Sequence, residues 1–415
     1  MYKRYMISLF VWSLFLVSPM VSLLIALKSY KGPLVKNVLW AFIIFYGFNF
    51  VIYDEFMDAN RYAERLVTLH RTEVGFDNFL GLFLSDDESS FLDAAGPLTT
   101  FLVSRFTESA AVLFGVYAMV FGFFYSRNVF FILDQAEGKL KTASWILLFV
   151  VCLTIPFWSI NGFRFWTASQ LFLYGMLPYL FGEKKKKYLL ISACSVLFHF
   201  SFMIPVVILL MSRGFTKNLT VLYSLFLGSF LFNFIQLGPL QEFLMQYAPD
   251  FLHTKLHTYV NENYAGNLEA AQETTKWFVL FKSELIRYFG LVLISVLYFL
   301  NRNYVKSNPL LLDVFCMILY FSIINNVIAS IPSVGRFQVL NYFLLYTFAL
   351  LMIQNAAEEF IWLKRIVYLG APMLAVFIVF QLRIGFQTIN ILTITGNPFL
   401  CIGEKGKAVL DFFKQ

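Results

Sequence analysis

Arg164, His199 and Arg336 each sit at or inside a long apolar run, in the contexts NGFRFWTA, LFHFSFMIP and PSVGRFQVLNYF. A charged side chain at a bilayer centre costs about 2.5–3.5 kcal/mol on insertion scales, so such residues usually face a cavity and carry function. A guanidinium is a planar fork suited to bidentate capture of phosphate or carboxylate. Arg164 follows the turn Ser159-Ile160-Asn161-Gly162 and opens a helix, and Arg336 stands in the same setting after Pro332. Two such arginines suit a pyrophosphate better than one does. The competing account of each is an interfacial arginine snorkelling to lipid headgroups. His199 lies between Phe198 and Phe200; histidine's unperturbed pKa is near neutrality, so it could act as a general base or a phosphate donor, with Ser201 close enough to assist. Its bland alternative is a packed, hydrogen-bonded core histidine.

A second set precedes these. Asp54, Asp58, Arg61 and Arg65 recur at i, i+4, i+7 and i+11, so one helix would carry them on one face with Tyr62 beside them. Carboxylates there could bind sugar hydroxyls or take a proton from an attacking one; a self-paired, solvated helix is the alternative. His253 and His257 in HTKLH share a helix face, but no glutamate follows and no third ligand is evident, so no metal site is expected. The four cysteines, Cys152, Cys194, Cys316 and Cys401, lack paired spacing and read as small buried hydrophobes. No P-loop, GxGxxG, GxSxG or CxxC pattern is present, which argues against a pump driven by internal ATP hydrolysis. No cofactor is expected.

The elements that must position these residues are membrane helices. The chain is 59% hydrophobic, 19% aromatic and only 14% charged, with a mean hydropathy of +0.70, which excludes a soluble globular domain. About eleven apolar runs reach the length that crosses a hydrocarbon core. They lie near 5–27, 36–53, 108–126, 143–160, 164–181, 188–211, 219–238, 283–301, 309–330, 336–354 and 366–382. No alternating β-barrel signature competes. The expected fold is all-α, a polytopic integral membrane protein forming a single transmembrane helical domain over 1–415. The N-terminal run resembles a signal peptide but is too long for one, so it reads as an uncleaved first helix. The net charge of +7 sits in short clusters between runs, the pattern of cytoplasmic loops rather than of a nucleic-acid binder.

Two connections are long. The first, 54–107, is acidic and amphipathic, with Asp54, Asp58, Glu64, Asp77 and Asp93 among its carboxylates. The second, 239–282, carries the HTKLH pair and reads as a lid. Both are expected as external loops with short surface helices, since neither is large enough to hold its own core. Lysine and arginine clusters, above all Lys184 to Lys187, set the orientation and place both loops outside. The run 188–211 then conflicts with the rest, because Arg213 at its far end also belongs inside. A segment broken or re-entrant near His199 to Pro205 removes the conflict, and puts Arg164, His199 and Arg336 on one outer face. The stretch from Gly385 to Leu400 is apolar but short, and is left as surface-lying or re-entrant.

Three passages resemble the EpsG/Wzy family of bacterial polysaccharide polymerases. Asp58-Ala-Asn-Arg-Tyr62 is similar to that family's D-x-x-[RN]-Y stretch, and Arg164-Phe-Trp-Thr-Ala168 to its R-x-x-x-A helix start. The lysine cluster followed by Phe198-His199-Phe200-Ser201 is similar to its K-rich turn and H-x-S segment. Val74-Gly75-Phe76-Asp77 is similar to a V-G-x-D stretch, without the tyrosine that follows it elsewhere. The resemblance implies joining of oligosaccharide repeat units carried on undecaprenyl pyrophosphate, at the outer face of a bacterial cytoplasmic membrane. It implies a glycosyltransferase working without metal, in which Arg164 and Arg336 hold the pyrophosphate. His199 or Asp58 would be the base, and Arg61, Tyr62 and Ser201 would contact substrate. The lipid-linked oligosaccharide, membrane lipid, a chain-length regulator and a flippase are the implied partners, and nucleic acid is not among them. Rival readings are a lipid-linked polysaccharide flippase or exporter, a related lipid-linked transferase or ligase, and a membrane acyltransferase.

Overall fold

The computed structural model describes residues 2–55, 57–72, 75, 93–212, 214–234, 246, 276–329, 331, 335–401 and 406–414. The described residues are helical, with no strand longer than an isolated bridge. In chain order the helices are α1 (Tyr2–Val17), α2 (Pro19–Leu27), α3 (Pro33–Phe48), α4 (Asp58–Arg71), α5 (Ala95–Ser104) and α6 (Ala110–Gln135). Next come α7 (Thr142–Thr154), α8 (Phe163–Phe181), α9 (Lys186–Ala193), α10 (Met203–Met211) and α11 (Leu219–Ser229). The remainder are α12 (Trp277–Ser307), α13 (Pro309–Val327), α14 (Gly335–Asn355), α15 (Ile361–Leu369), α16 (Ala371–Thr388), α17 (Ile391–Thr395) and α18 (Pro398–Cys401).

Among the described residues six helical stretches are long and apolar enough to cross a membrane: Ala110–Gln135, Thr142–Phe181, Trp277–Ser307, Pro309–Val327, Gly335–Asn355 and Ala371–Thr388. The chain is therefore a membrane-embedded helical protein. The runs at 5–27, 36–53, 188–211 and 219–238 fall on shorter helices, and local chemistry explains why. Ser18 is extended ahead of Pro19, which lacks an N–H, so the first run divides into α1 and α2. The second stops at Phe48 because Val51 donates its N–H to the Thr388 carbonyl (3.0 Å), taking the backbone out of the helical pattern. The run 188–211 is interrupted as its sequence suggested: after α9 come two 3-10 turns, with His199 fully extended between them (φ −154°, ψ 116°). The lid expected at 239–282, including His253 and His257, lies outside the described residues except for 246 and 276–282. So do Arg213 and, apart from Gly75, the VGFD stretch.

The contacts divide the chain into two compact units, one of 1–135, 155–203 and 381–415, the other of 136–154 and 204–380. In the first, α3 and α6 meet through small residues. A methyl at Gly47 would lie 2.3 Å from the Ala118 Cβ and 2.4 Å from the Phe114 carbonyl oxygen, so the backbones touch there. Gly115 and Gly122 accept the Phe48 ring and the Ile43 side chain in the same way. Gly47→Val forces this seam apart, and we expect a loss of roughly 1–3 kcal/mol, seen as a lowered thermal unfolding midpoint in nanodiscs. An unchanged midpoint would mean that the seam is looser than these distances imply. Further along, Asn128 on α6 donates to both the backbone and the side-chain oxygen of Gln170 on α8 (2.8 and 2.7 Å). The tail closes the unit: the Tyr46 and Thr388 hydroxyls are 2.9 Å apart, and Val409 donates to Ile389 (2.8 Å).

In the second unit α14 is central and almost wholly buried. Its last carbonyls are capped by the lysine that opens α7: Lys141 Nζ donates to Gln354 O (2.7 Å) and Ile353 O (3.2 Å), the favourable place for a cation. The Tyr346 hydroxyl donates to Ile286 O on α12 (2.8 Å). Side-chain amides join α14 to α13 and α13 to α11.

Candidate functional site

The site assembles in the first unit around Asp93, a residue whose sequence context gave no reason to choose it. Its side chain is 6% exposed. One carboxylate oxygen accepts from Arg164 Nη1 (3.3 Å), and the other accepts the Phe200 backbone N–H (2.6 Å). The second bond explains how the break at His199 is held. An extended residue between two turns leaves an N–H without a helical partner, and a buried donor must find one. Asp93 supplies it with a side-chain oxygen. Asp93 thus ties the stretch just before α5 both to the start of α8 and to the broken segment.

Arg164 is the second residue of α8, whose N-cap, Gly162, offers no side-chain acceptor or donor. The Arg164 stem passes over Gly96 on α5, where a methyl would approach Cγ to 2.8 Å and Cδ to 3.1 Å, so only glycine leaves that room. The Tyr62 hydroxyl lies close enough to Arg164 to feel its charge. Burial pushes the Tyr62 phenol above its ordinary pKa, while Arg164 pulls it down and Asp58 pushes it up. It therefore stays protonated at neutral pH and keeps an O–H to donate. The Tyr62 ring meets the edge of Tyr117 (5.7 Å), and Tyr117 stacks flat on Phe163 (3.7 Å, 4°), which fixes the wall behind the arginine.

His199 and Ser201 flank Phe200. The Ser201 hydroxyl lies 2.7 Å from His199 Nδ1, and the imidazole meets Phe165 edge-on at 5.3 Å. With Nδ1 engaged by serine, proton transfer to or from a substrate would run through Nε2.

Asp58 opens α4 and is paired with Arg61. Ala59 donates its N–H to the Asn161 side chain in the turn before α8 (3.2 Å). This brings Asp58 and Tyr62 to the same corner as Arg164. Arg61 itself is exposed. Asp54 is a correction to the four-residue face read from sequence: it precedes the helix, because residues 50 and 51 pair with the tail and α4 starts only at Asp58. Farther along, His70 Nδ1 meets Ser104 O (2.6 Å) and Arg71 pairs with Glu108 (3.1 Å), holding α4 on α5 and beyond.

The structure thus gathers Asp58, Tyr62, Arg164, His199 and Ser201 in one unit, with Asp93 joining Arg164 to Phe200, which stands between His199 and Ser201. Arg336 lies in the other unit, exposed in the first turn of α14. Among the described residues no three His, Cys, Asp or Glu side chains come together as a metal site would require. No family model, curated protein or solved structure matches the chain.

Proposed function

We propose that the chain is a glycosyltransferase that polymerises oligosaccharide repeat units linked to a lipid pyrophosphate. The observation that carries the reading is the brace on Arg164: a guanidinium in the first turn of a membrane helix, oriented by Asp93 and Tyr62, beside a His199–Ser201 pair at a break in the backbone. Arginine and a helix N-terminus both favour negative charge. Such a corner suits a reaction in which charge grows on a departing pyrophosphate.

In the proposed reaction a hydroxyl of the incoming unit attacks the anomeric carbon at the reducing end of the growing chain. The new C–O bond forms as the bond to pyrophosphate breaks, the proton passes to His199 Nε2 or to Asp58, and the lipid pyrophosphate leaves as the anion. Arg164 stabilises that anion, and Arg61, Tyr62 and Ser201 touch the substrate. The site would face the outside of a bacterial cytoplasmic membrane. The segment 188–211 would be re-entrant, and 54–107 and 239–282 would be external. Cysteines introduced as Arg213→Cys and Asn263→Cys check that topology: a membrane-impermeant thiol reagent should label position 263 from outside and leave 213 unlabelled. Labelling of both from outside would sink the re-entrant arrangement.

Purified protein supplied with synthetic lipid-pyrophosphate repeat units and EDTA tests the reaction directly. A ladder of lengthening glycans is the expected result. The break at His199 also favours a second reading, a transporter of the same lipid, since discontinuous helices line transport sites. Absence of a ladder, together with movement of the lipid across proteoliposome bilayers, would replace the first reading with the second.

A further inference from the structure

The second unit holds a cluster of uncharged polar side chains away from the site described above. Ser322, Asn325 and Asn326 on α13 and Asn341 on α14 are all at most 7% exposed. Asn341 Nδ2 donates to Ser322 Oγ (2.8 Å), and Asn326 Nδ2 donates to Ser229 Oγ on α11 (2.9 Å). Such pairs are an ordinary way to join helices in a membrane. Asn325 is different. It is 1% exposed, and neither its amide nitrogen nor its oxygen has a partner among the described residues; the Asn341 oxygen has none either.

Buried amides without partners are costly and rare, and each asks for an explanation. Asn325 lies one turn from Ser322, the residue that accepts from Asn341, so the two share a face of α13. Packing does not account for it, because a leucine would fill the same interior at lower cost. The open groups are a donor and an acceptor on the planar Asn325 amide and an acceptor on Asn341. Among the described residues no charged side chain takes part in the cluster's hydrogen bonds, so a neutral ligand that both donates and accepts suits these groups better than a lone ion. Adjacent sugar hydroxyls, each able to donate and accept, complement an amide edge. Gln338, half-buried, borders the cluster, with its Nε2 3.4 Å from Asn326 Oδ1, at the outer limit of a hydrogen bond.

We infer that Asn325 and Asn341 form a binding site for the vicinal hydroxyls of a neutral pyranose. The inference builds on the saccharide reading proposed above and assigns to the second unit a hold on the sugar rather than on the pyrophosphate.

The experiment uses the full chain in lipid nanodiscs free of glycoside detergent. Glucose-, galactose- and mannose-based trisaccharides are titrated by calorimetry, with thermal unfolding alongside. At least one should bind and raise the unfolding midpoint. Asn325→Leu should raise the midpoint of the sugar-free protein and weaken that binding by about tenfold or more, as expected for two lost hydrogen bonds. Asn341→Leu serves as a second variant should the first not fold, and should weaken binding less. The inference is overturned if no trisaccharide binds, or if the leucine variants bind as tightly as the parent. Arg164→Ala separates this from the polymerase reading, since it should leave trisaccharide binding intact. Failure of the glycan ladder with binding retained would remove that reading and leave this site standing.

Discussion

Arg164→Ala is expected to lower the rate of glycan elongation by about 10²–10³-fold, the usual loss when one preorganised charge-stabilising donor is removed. The loss should appear in the rate constant more than in the apparent affinity for the lipid-linked unit, because the charge on the pyrophosphate is greatest as the glycosidic bond breaks. Arg164→Lys should recover only part of it. A lysine keeps the positive charge, but it cannot reach Asp93 and Tyr62 and still present a fork to an anion. The readout is ladder length against time, with protein levels and unfolding midpoints measured in parallel. Elongation by the alanine variant at the parental rate, in folded protein, would end the pyrophosphate role of Arg164.

Asp93 should behave differently from Arg164, and the difference is diagnostic. Asp93→Ala removes the acceptor of the Phe200 N–H as well as the partner of Arg164. A buried donor left unpaired costs about 1–3 kcal/mol, so we expect a destabilisation near 2 kcal/mol together with loss of elongation. Asp93→Asn keeps a carbonyl oxygen for the Phe200 N–H but turns an amide nitrogen, a donor, toward Arg164 Nη1, where the carboxylate offers an acceptor. Its unfolding midpoint should stay close to the parent, while elongation falls nearly as far as in the alanine variant. The two properties separate only if Asp93 positions Arg164 as well as pinning the backbone. If the asparagine variant elongates normally, Asp93 is a structural pin alone.

Part of this arrangement was legible in the sequence. Long helices such as α6, α12, α13 and α14 follow from uninterrupted apolar runs, because in lipid every backbone polar group has to be satisfied within the segment. The break near His199 was legible from the conflict between two basic clusters. The shorter helices were not, because hydropathy summed over a window does not see a single proline at Pro19 or a backbone recruited elsewhere at Val51. Arg164, His199 and Ser201 stood out because polar residues are rare in such runs. Asp93 did not stand out, being one carboxylate among many in an acidic stretch. Its role is set by partners 71 and 107 residues away, which no local pattern encodes. Asn325 was passed over for a related reason: an asparagine near a helix end looks ordinary until its amide is found buried and unpaired.

The closing of the first unit by its tail bears on how the protein is made. Tyr46 meets Thr388 across 342 residues, and Asn397 donates to the Leu16 carbonyl across 381. At a synthesis rate of about 5–20 residues per second, α3 must wait roughly 20–70 s for its partner to leave the ribosome. During that interval the Tyr46 hydroxyl and the Val51 N–H have to be satisfied by lipid headgroups, water or the insertion machinery. Early helices of this unit are therefore inserted long before they are finished, and the last stretch of chain acts as the clasp that commits them.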